Sequence, residues 1–323
     1  MKILTRDQLE SVTVPPGWAK LNQQTTSIDN PNELNFKISF PSPHYNCRID
    51  KPPYYQNTQV HTTSDALIVN ISFADNFCHN VIDFLPELIW LDQKINDSFI
   101  IAPITKTTRN YIDTFDIEFK HINFIENDID INSKKIQIYD YNINYRSSKK
   151  ILLLKTILAK NIDQSKKANR FIYCTRNSGG RADHQRPMNR ENEMNIIDLS
   201  REYCGKNNLI FTIFNGLDSS KNIMSIFDQA KLFSEAKVVC GPHGGAFANI
   251  IHIPEKNKCK VCEFTSGKYT AVQKVDNFGK NYNRLLGFAP QTYLDYYLIP
   301  FALGSDDKET SIDIHNYKTF LLQ

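Results

Sequence analysis

Residues 237–264 read KVVCGPHGGAFANIIHIPEKNKCKVCEF. Lys237 to Cys240 is a short apolar run of strand character that enters Gly241-Pro242-His243-Gly244-Gly245. An apolar helix is expected from Gly244 to Ile251, and a second strand from Cys259 to Phe264. Strand, glycine turn, helix and strand in this order make a βαβ unit with parallel strands. A glycine turn that opens a helix leaves backbone N–H groups unpaired, and with the helix dipole these suit a phosphate. Adjacent glycines let a ligand approach the backbone closely. The turn also falls at the carboxyl end of a strand, where open α/β sheets bind ligands. As pattern alone, the same residues equally make a tight strand-to-helix turn that holds nothing.

The alternation extends outward from this unit. Ahead of it lie strand Arg170 to Thr175, helix Glu191 to Lys206, strand Leu209 to Phe214 and helix Asn222 to Ala236. Beyond it, helix Thr270 to Leu286 and an apolar segment, Thr292 to Ile299, are expected. An earlier series runs through strand Ala66 to Phe73, helical periodicity from Asn76 to Ile95, strand Phe99 to Ile104 and helix Thr107 to Phe115. It ends with strands His121 to Ile125 and Lys135 to Tyr139 and helix Lys150 to Asn161. Two βα series predict an α/β protein of two Rossmann-like domains, 1–165 and 166–323, divided near 162–169. The first ~60 residues, with Pro15-Pro16, Pro41, Pro43 and Pro52-Pro53, read as an irregular lead-in with one short strand near Phe36 to Phe40.

Two further stretches carry chemistry. The loop after Thr175 reads RNSGGRADHQRPMNRENE, with Arg176, Arg181, Arg186 and Arg190. Arginine presents a planar fork to diphosphate oxygens, although an arginine in a loop is commonly solvated surface. Asn189 is placed to cap the helix that follows, with Glu191 and Glu193 in its first turn. In Phe77 to Asp92, FCHNVIDFLPELIWLD, the residues His79, Asp83 and Glu87 recur at i, i+4 and i+8 on one helical face. An imidazole beside a carboxylate can make an oriented general base; an amphipathic helix with its polar side in water has the same pattern. Pro86 is expected to kink this helix or to restart it.

Composition narrows the classes. The chain has 323 residues, 38 basic and 35 acidic, and a net charge of +3, too small to argue for nucleic acid or an anionic membrane. No run approaches the ~18 apolar residues of a membrane span, and the N-terminus lacks the apolar core of a signal peptide. Seven scattered cysteines, an odd number, favour a reducing cytoplasm over a disulfide scaffold. Asp128-Ile129-Asp130 has a spacing that can hold a divalent metal, but three residues at a turn are weak support. Cys259-x-x-Cys262 lacks a second pair and lies within an expected strand, where i and i+3 face opposite ways.

Taken in order, these pieces resemble glycosyltransferase family 61, which includes bacterial capsule-type enzymes and plant xylosyltransferases. The resemblance is carried by Asn76-Phe77-Cys78-His79, by the strand ending in Arg176, by Arg181 with the Asn189–Glu193 segment, and by Gly241-Pro242-His243-Gly244-Gly245-Ala246 with Asn249. Val261-Cys262-Glu263, a strand ending in Glu, completes it. It implies a GT-B-like fold with two Rossmann-like domains facing a central cleft and the nucleotide sugar on the C-terminal domain. It also implies inverting, usually metal-independent transfer from a uridine diphosphate sugar to a glycan hydroxyl.

On that basis Arg176, Arg181, Gly241, His243, Gly244 and Gly245 are expected at the donor diphosphate. Glu263 is expected at the ribose hydroxyls, and Asn249 as a brace of the helix. His79 and Asp83 are the expected base and its orienting partner, with Glu87 as the substitute. No cofactor beyond the donor is expected. The partners are the nucleotide-sugar donor and a glycan acceptor, without nucleic acid; peripheral association with a membrane-bound glycan assembly system is compatible with the role. The competing reading is a nucleotide-sugar-binding module without turnover, and a third is a metal-dependent transferase using Asp128 and Asp130.

Overall fold

The computed structural model describes residues 26–29, 35–39, 48–50, 59–61, 66–71, 76–94, 99–125, 129–132, 135–141, 148–163, 165–178, 187–265, 273–274, 294–302 and 309–323. The chain divides into two compact units, Met1–Leu154 and Lys155–Gln323.

In the first unit, strands β1 (Thr26–Asp29), β2 (Asn35–Ser39), β3 (Arg48–Asp50) and β4 (Gln59–His61) precede β5 (Ala66–Ile71). Helix α1 (Phe77–His79) passes through a π-helical turn, Asn80–Phe84, into α2 (Leu85–Lys94). Then come β6 (Phe99–Pro103), α3 (Lys106–Phe115), β7 (Ile122–Ile125), β8 (Ile129–Asn132), β9 (Lys135–Tyr141) and α4 (Ser148–Leu158). The division between the units falls within α4, after Leu154, ahead of the expected division after residue 165. One sheet has the order β1-β9-β5-β6-β7, parallel except for the β1–β9 pair. The apolar runs ALIVNI and FIIAP supply its centre, and Val69, Ile100 and Ala102 are wholly buried with Phe84, Leu88 and Leu91.

A second sheet, β3-β2-β8-β4, was not anticipated beyond β2. Strands β1, β3, β4 and β8 hold only three or four residues, too few to show a period. β8 completes the second sheet by pairing with β2 and β4, which lie far away in sequence. The π turn sits just ahead of Pro86. Proline has no N–H to donate, and its ring crowds the carbonyl four residues earlier. Widening the preceding turn by one residue, so that Leu85 N–H bonds to Asn80 O, accommodates both. The Asp92 carboxylate accepts from the backbone N–H groups of Lys120, His121 and Ile122, tying the end of α2 to the start of β7.

The second unit contains β10 (Arg170–Cys174), α5 (Arg190–Asn207), β11 (Ile210–Phe214), α6 (Ile226–Ser234) and β12 (Ala236–Pro242). A 3-10 helix, Gly245–His252, leads to β13 (Cys259–Thr265); β14 (Gln273–Lys274), β15 (Leu294–Pro300) and α7 (Ile314–Leu322) follow. The sheet order is β11-β10-β12-β13-β15-β14, parallel apart from β14. Gln273 and Lys274 are strand where a helix was expected; the rest of the Thr270–Leu286 expectation falls outside the described residues except in this pair. Helix α5 starts as anticipated, with the Asn189 side chain accepting from Asn192 N–H at 3.1 Å. Helix α7 was not anticipated. It buries Tyr317 completely, with its hydroxyl 2.7 Å from Ser200 Oγ and its ring edge-on to Phe264.

Among the parallel strands of this sheet, chain order reverses once. From β10 the chain moves outward to β11, then crosses back to β12 on the other side of β10 and continues outward through β13 and β15. The carboxyl ends of β10 and β12 therefore flank a topological switch point, the position at which open parallel sheets bind ligands.

Candidate active site

Arg176 follows β10 at the switch point and is half-buried. Thr175 N–H donates to Phe214 O at 3.0 Å, which extends the β10–β11 ladder by one residue. The Glu193 carboxylate, buried on α5, accepts from Tyr173 Oη at 3.1 Å, Thr175 Oγ1 at 2.6 Å and Asn177 Nδ2 at 2.7 Å. Asn177 also exchanges hydrogen bonds with the Met188 backbone, at 2.7 and 2.8 Å. Both neighbours of Arg176 are thus pinned through one carboxylate.

The β12 turn faces this arginine. Gly241 has φ +146, and a Cβ there would fall on the Cys174 carbonyl oxygen, so glycine is required for β12 to lie this close to β10. Gly244 differs. Its φ of 179 is ordinary extended backbone, but a Cβ would stand 3.0 Å from Arg176 Nη2 and 3.1 Å from Nε. The guanidinium therefore lies directly against the Gly244 backbone. The helix that follows is 3-10 rather than α: Phe247 N–H bonds to Gly244 O, leaving Gly245 and Ala246 N–H without acceptors inside the helix. Gly245 is exposed. Over eight residues buried on nearly every side, an apolar pattern cannot distinguish three residues per turn from 3.6.

His243 and Glu263 meet behind this turn. Glu263 is wholly buried; Oε2 accepts from Tyr296 Oη at 2.7 Å, and Oε1 is in direct contact with His243 Nδ1. With both oxygens engaged inside the protein, Glu263 is not presented to a ribose. It reaches the turn through His243, where a direct ligand contact was expected. Asn249 braces the 3-10 helix: its Nδ2 donates to Gln229 Oε1 of α6 at 2.9 Å and to Ala246 O at 3.2 Å. Arg181 lies outside the described residues.

In the first unit, Asn76 caps the helix, its Oδ1 accepting from Cys78 N–H at 3.1 Å. His79 Nδ1 lies 2.7 Å from Asp83 Oδ2, with both side chains buried. An ionised carboxylate only accepts, so Nδ1 carries the proton and Nε2 is the basic nitrogen. Glu87, on the same face, belongs to a different set. Lys150 Nζ donates to its two oxygens at 2.6 and 2.7 Å and lies 3.9 Å over the Trp90 ring. Glu87 is thus paired with a cation, whereas Asp83 is paired with the imidazole. Asp128 lies outside the described residues, and Asp130 is placed only as a member of β8.

The family profile described as Glycosyltransferase 61 matches residues 77–262. The chain belongs to glycosyltransferase family 61. The match begins at the His79 helix and ends one residue before Glu263, so it spans the dyad, Arg176 and the whole glycine turn. No curated protein matches the chain. As a family 61 glycosyltransferase the protein takes a sugar donor and an acceptor. Among the described residues no helix is long and apolar enough to cross a membrane. Glu193, Thr175, Asn177 and Tyr296 were not anticipated as site residues. Glu193 was legible as a first-turn acid and as the end of the segment that carries the resemblance, but not as a partner of Thr175 and Asn177, and nothing in the sequence links Tyr296 to Glu263, 33 positions earlier.

Proposed function

We propose that this family 61 enzyme transfers a sugar, with inversion and without a metal, from a uridine diphosphate sugar to a glycan hydroxyl in surface polysaccharide or glycan synthesis. The donor diphosphate lies on the second unit at the switch point, cradled by Arg176, His243 and the backbone from Gly241 to Gly245. The His79–Asp83 dyad of the first unit supplies the base, in a GT-B-type arrangement, and the donor is the only small molecule required. The transition state needs a base on the attacking hydroxyl and compensation for charge growing on the departing diphosphate. A guanidinium and unpaired backbone N–H groups provide the second without a cation. The role fits a cytoplasmic enzyme, peripheral to a membrane-bound glycan assembly system.

The observation that carries this reading is the Arg176 guanidinium lying against Gly244 at the switch point. Calorimetry with uridine diphosphate and with uridine tests it. Arg176→Ala should weaken diphosphate binding by roughly 1.5–3 kcal/mol, the scale of a hydrogen bond to a charged group. Uridine binding should hardly change. Equal diphosphate affinity in wild type and variant would remove the donor from this turn.

A further inference from the structure

The diphosphate cradle rests on an unusual base. Glu263 is wholly buried at the end of β13, yet neither oxygen meets a fixed cation in the second unit's described residues; its partners are the Tyr296 hydroxyl and the His243 ring. A buried carboxylate without a positive partner is costly, and a protonated imidazole is the one partner here able to supply charge. His243 turns Nδ1 inward to this carboxylate and is itself half-buried at the open turn, between Pro242 and Gly244. Its backbone N–H donates to Phe264 O at 2.8 Å, which fixes the His243 backbone against the end of β13. Nε2 has no partner among the described residues. Glu263 from β13 meets the ring, with Tyr296 from β15 behind the carboxylate, and Arg176 lies against the next residue, Gly244.

The chemistry of Nε2 follows from Nδ1. With Nδ1–H donated to Glu263, a neutral ring presents Nε2 as an acceptor, which repels a phosphate oxygen. To donate to phosphate, the ring must carry both protons. We propose that binding of the donor's diphosphate at the glycine turn draws one proton onto His243, and that Glu263 and Tyr296 are the positioning residues that make the resulting imidazolium tolerable. This rests on the proposed function and deepens it. The site then recognises a diphosphate with two cations, one fixed (Arg176) and one acquired on binding (His243).

The test is proton linkage. Uridine diphosphate is titrated calorimetrically at about pH 8 in buffers of differing ionisation enthalpy. Phosphate groups, with second pKa near ~6, are already ionised there and take up little themselves. Wild type should take up a substantial fraction of one proton per ligand, and its affinity should fall as pH rises. His243→Gln should bind without uptake. Glu263→Gln should lose most of the uptake and bind about tenfold more weakly, while Tyr296→Phe shows an intermediate effect. Lys155, pushed down to about 8 by burial, lies at the far end of the 3-10 helix on the Ile251 carbonyl, and uptake due to it would persist in His243→Gln. Binding without proton uptake, or uptake unchanged in His243→Gln, overturns this inference and leaves the donor site standing. Failure of wild type to bind uridine, guanosine or thymidine diphosphate overturns both. The wild-type measurement stands whether or not the variants fold.

Discussion

Two glycines three residues apart carry different constraints, and substitution separates them. Gly241 is held by backbone: its φ is +146 and any Cβ meets the Cys174 carbonyl. Gly241→Ala should lower stability by roughly 1–3 kcal/mol from strain alone, read as a shifted denaturant midpoint. Gly244 has no unusual φ, so backbone strain is not what requires glycine there. Its neighbour is the end of a flexible arginine side chain. Gly244→Val should therefore leave the denaturant midpoint near wild type while displacing Arg176 and sharply weakening diphosphate binding. Matching losses of stability in both variants would contradict this division. At the dyad, His79→Ala and Asp83→Ala should each lower kcat by roughly 10²–10⁴ with donor affinity retained. A comparable loss in Glu87→Gln would instead point to the carboxylate that Lys150 holds.

At the level of elements, helix α5 matters to the site more than its surface charges suggest. Its first turn carries Glu191 and Glu193, both favourable near a helix N-terminus. Only Glu193 turns inward, joining Tyr173 of β10 to the Thr175 and Asn177 side chains on either side of Arg176. Removing that carboxylate strands three buried or half-buried donors. Glu193→Ala should cost roughly 1–3 kcal/mol of stability and also weaken diphosphate binding, because Arg176 loses its fixed backbone. Glu191→Ala, two residues earlier and exposed, is the control and should do neither. If Glu193→Ala destabilises the protein but binds diphosphate normally, α5 supports the fold and not the site.

Over the whole molecule, burial of ionisable groups sets a stability plateau. Burial raises the thiols of Cys174, Cys204, Cys240, Cys259 and Cys262 above their ordinary 9.0, to about 11 for Cys204 and about 12 for Cys240. The folded chain keeps these protons where the unfolded chain releases them, so stability falls as pH rises above about 9. Buried Tyr173 and Tyr317 shift the same way. Lys155 works against them. Burial lowers it from 10.5 to about 8, opposed by Glu255, so over that window the unfolded chain binds the extra proton and this group adds stability with rising pH. On the acid side, burial and then Lys155 push His252 from 6.5 down to about 3, so stability falls as pH drops across that range. Thermal midpoints should be highest between about pH 6.5 and 9, with a shallower acid limb in His252→Gln. Turnover measured with and without EDTA is the molecular test of the metal-free reading. Activity lost to the chelator and restored by manganese would revive Asp128 and Asp130.

The sequence by itself determined the local pieces: the βα alternation, the glycine turn after a strand, the Asn189 cap, and the i, i+4 pairing of His79 with Asp83. Each is set by a few consecutive residues, through period, φ requirement or helical spacing, and so can be read without knowing what packs where. Tertiary structure alone decided what depends on strand order and on partners distant in sequence. It placed Arg176 against Gly244, 68 positions later, by putting β10 beside β12. It turned Glu193 inward and Glu191 outward, and gave Glu87 to Lys150. It enclosed Glu263 between Tyr296 and His243, away from the surface where the sequence reading had put it. Three short strands, β1, β4 and β8, entered their sheets only by pairing across the chain, since three or four residues cannot bury a face until a neighbour supplies one. A carboxylate looks the same in sequence whether its partner is water, a ligand or a buried hydroxyl; packing makes that choice, because burial without a partner is what the fold must avoid.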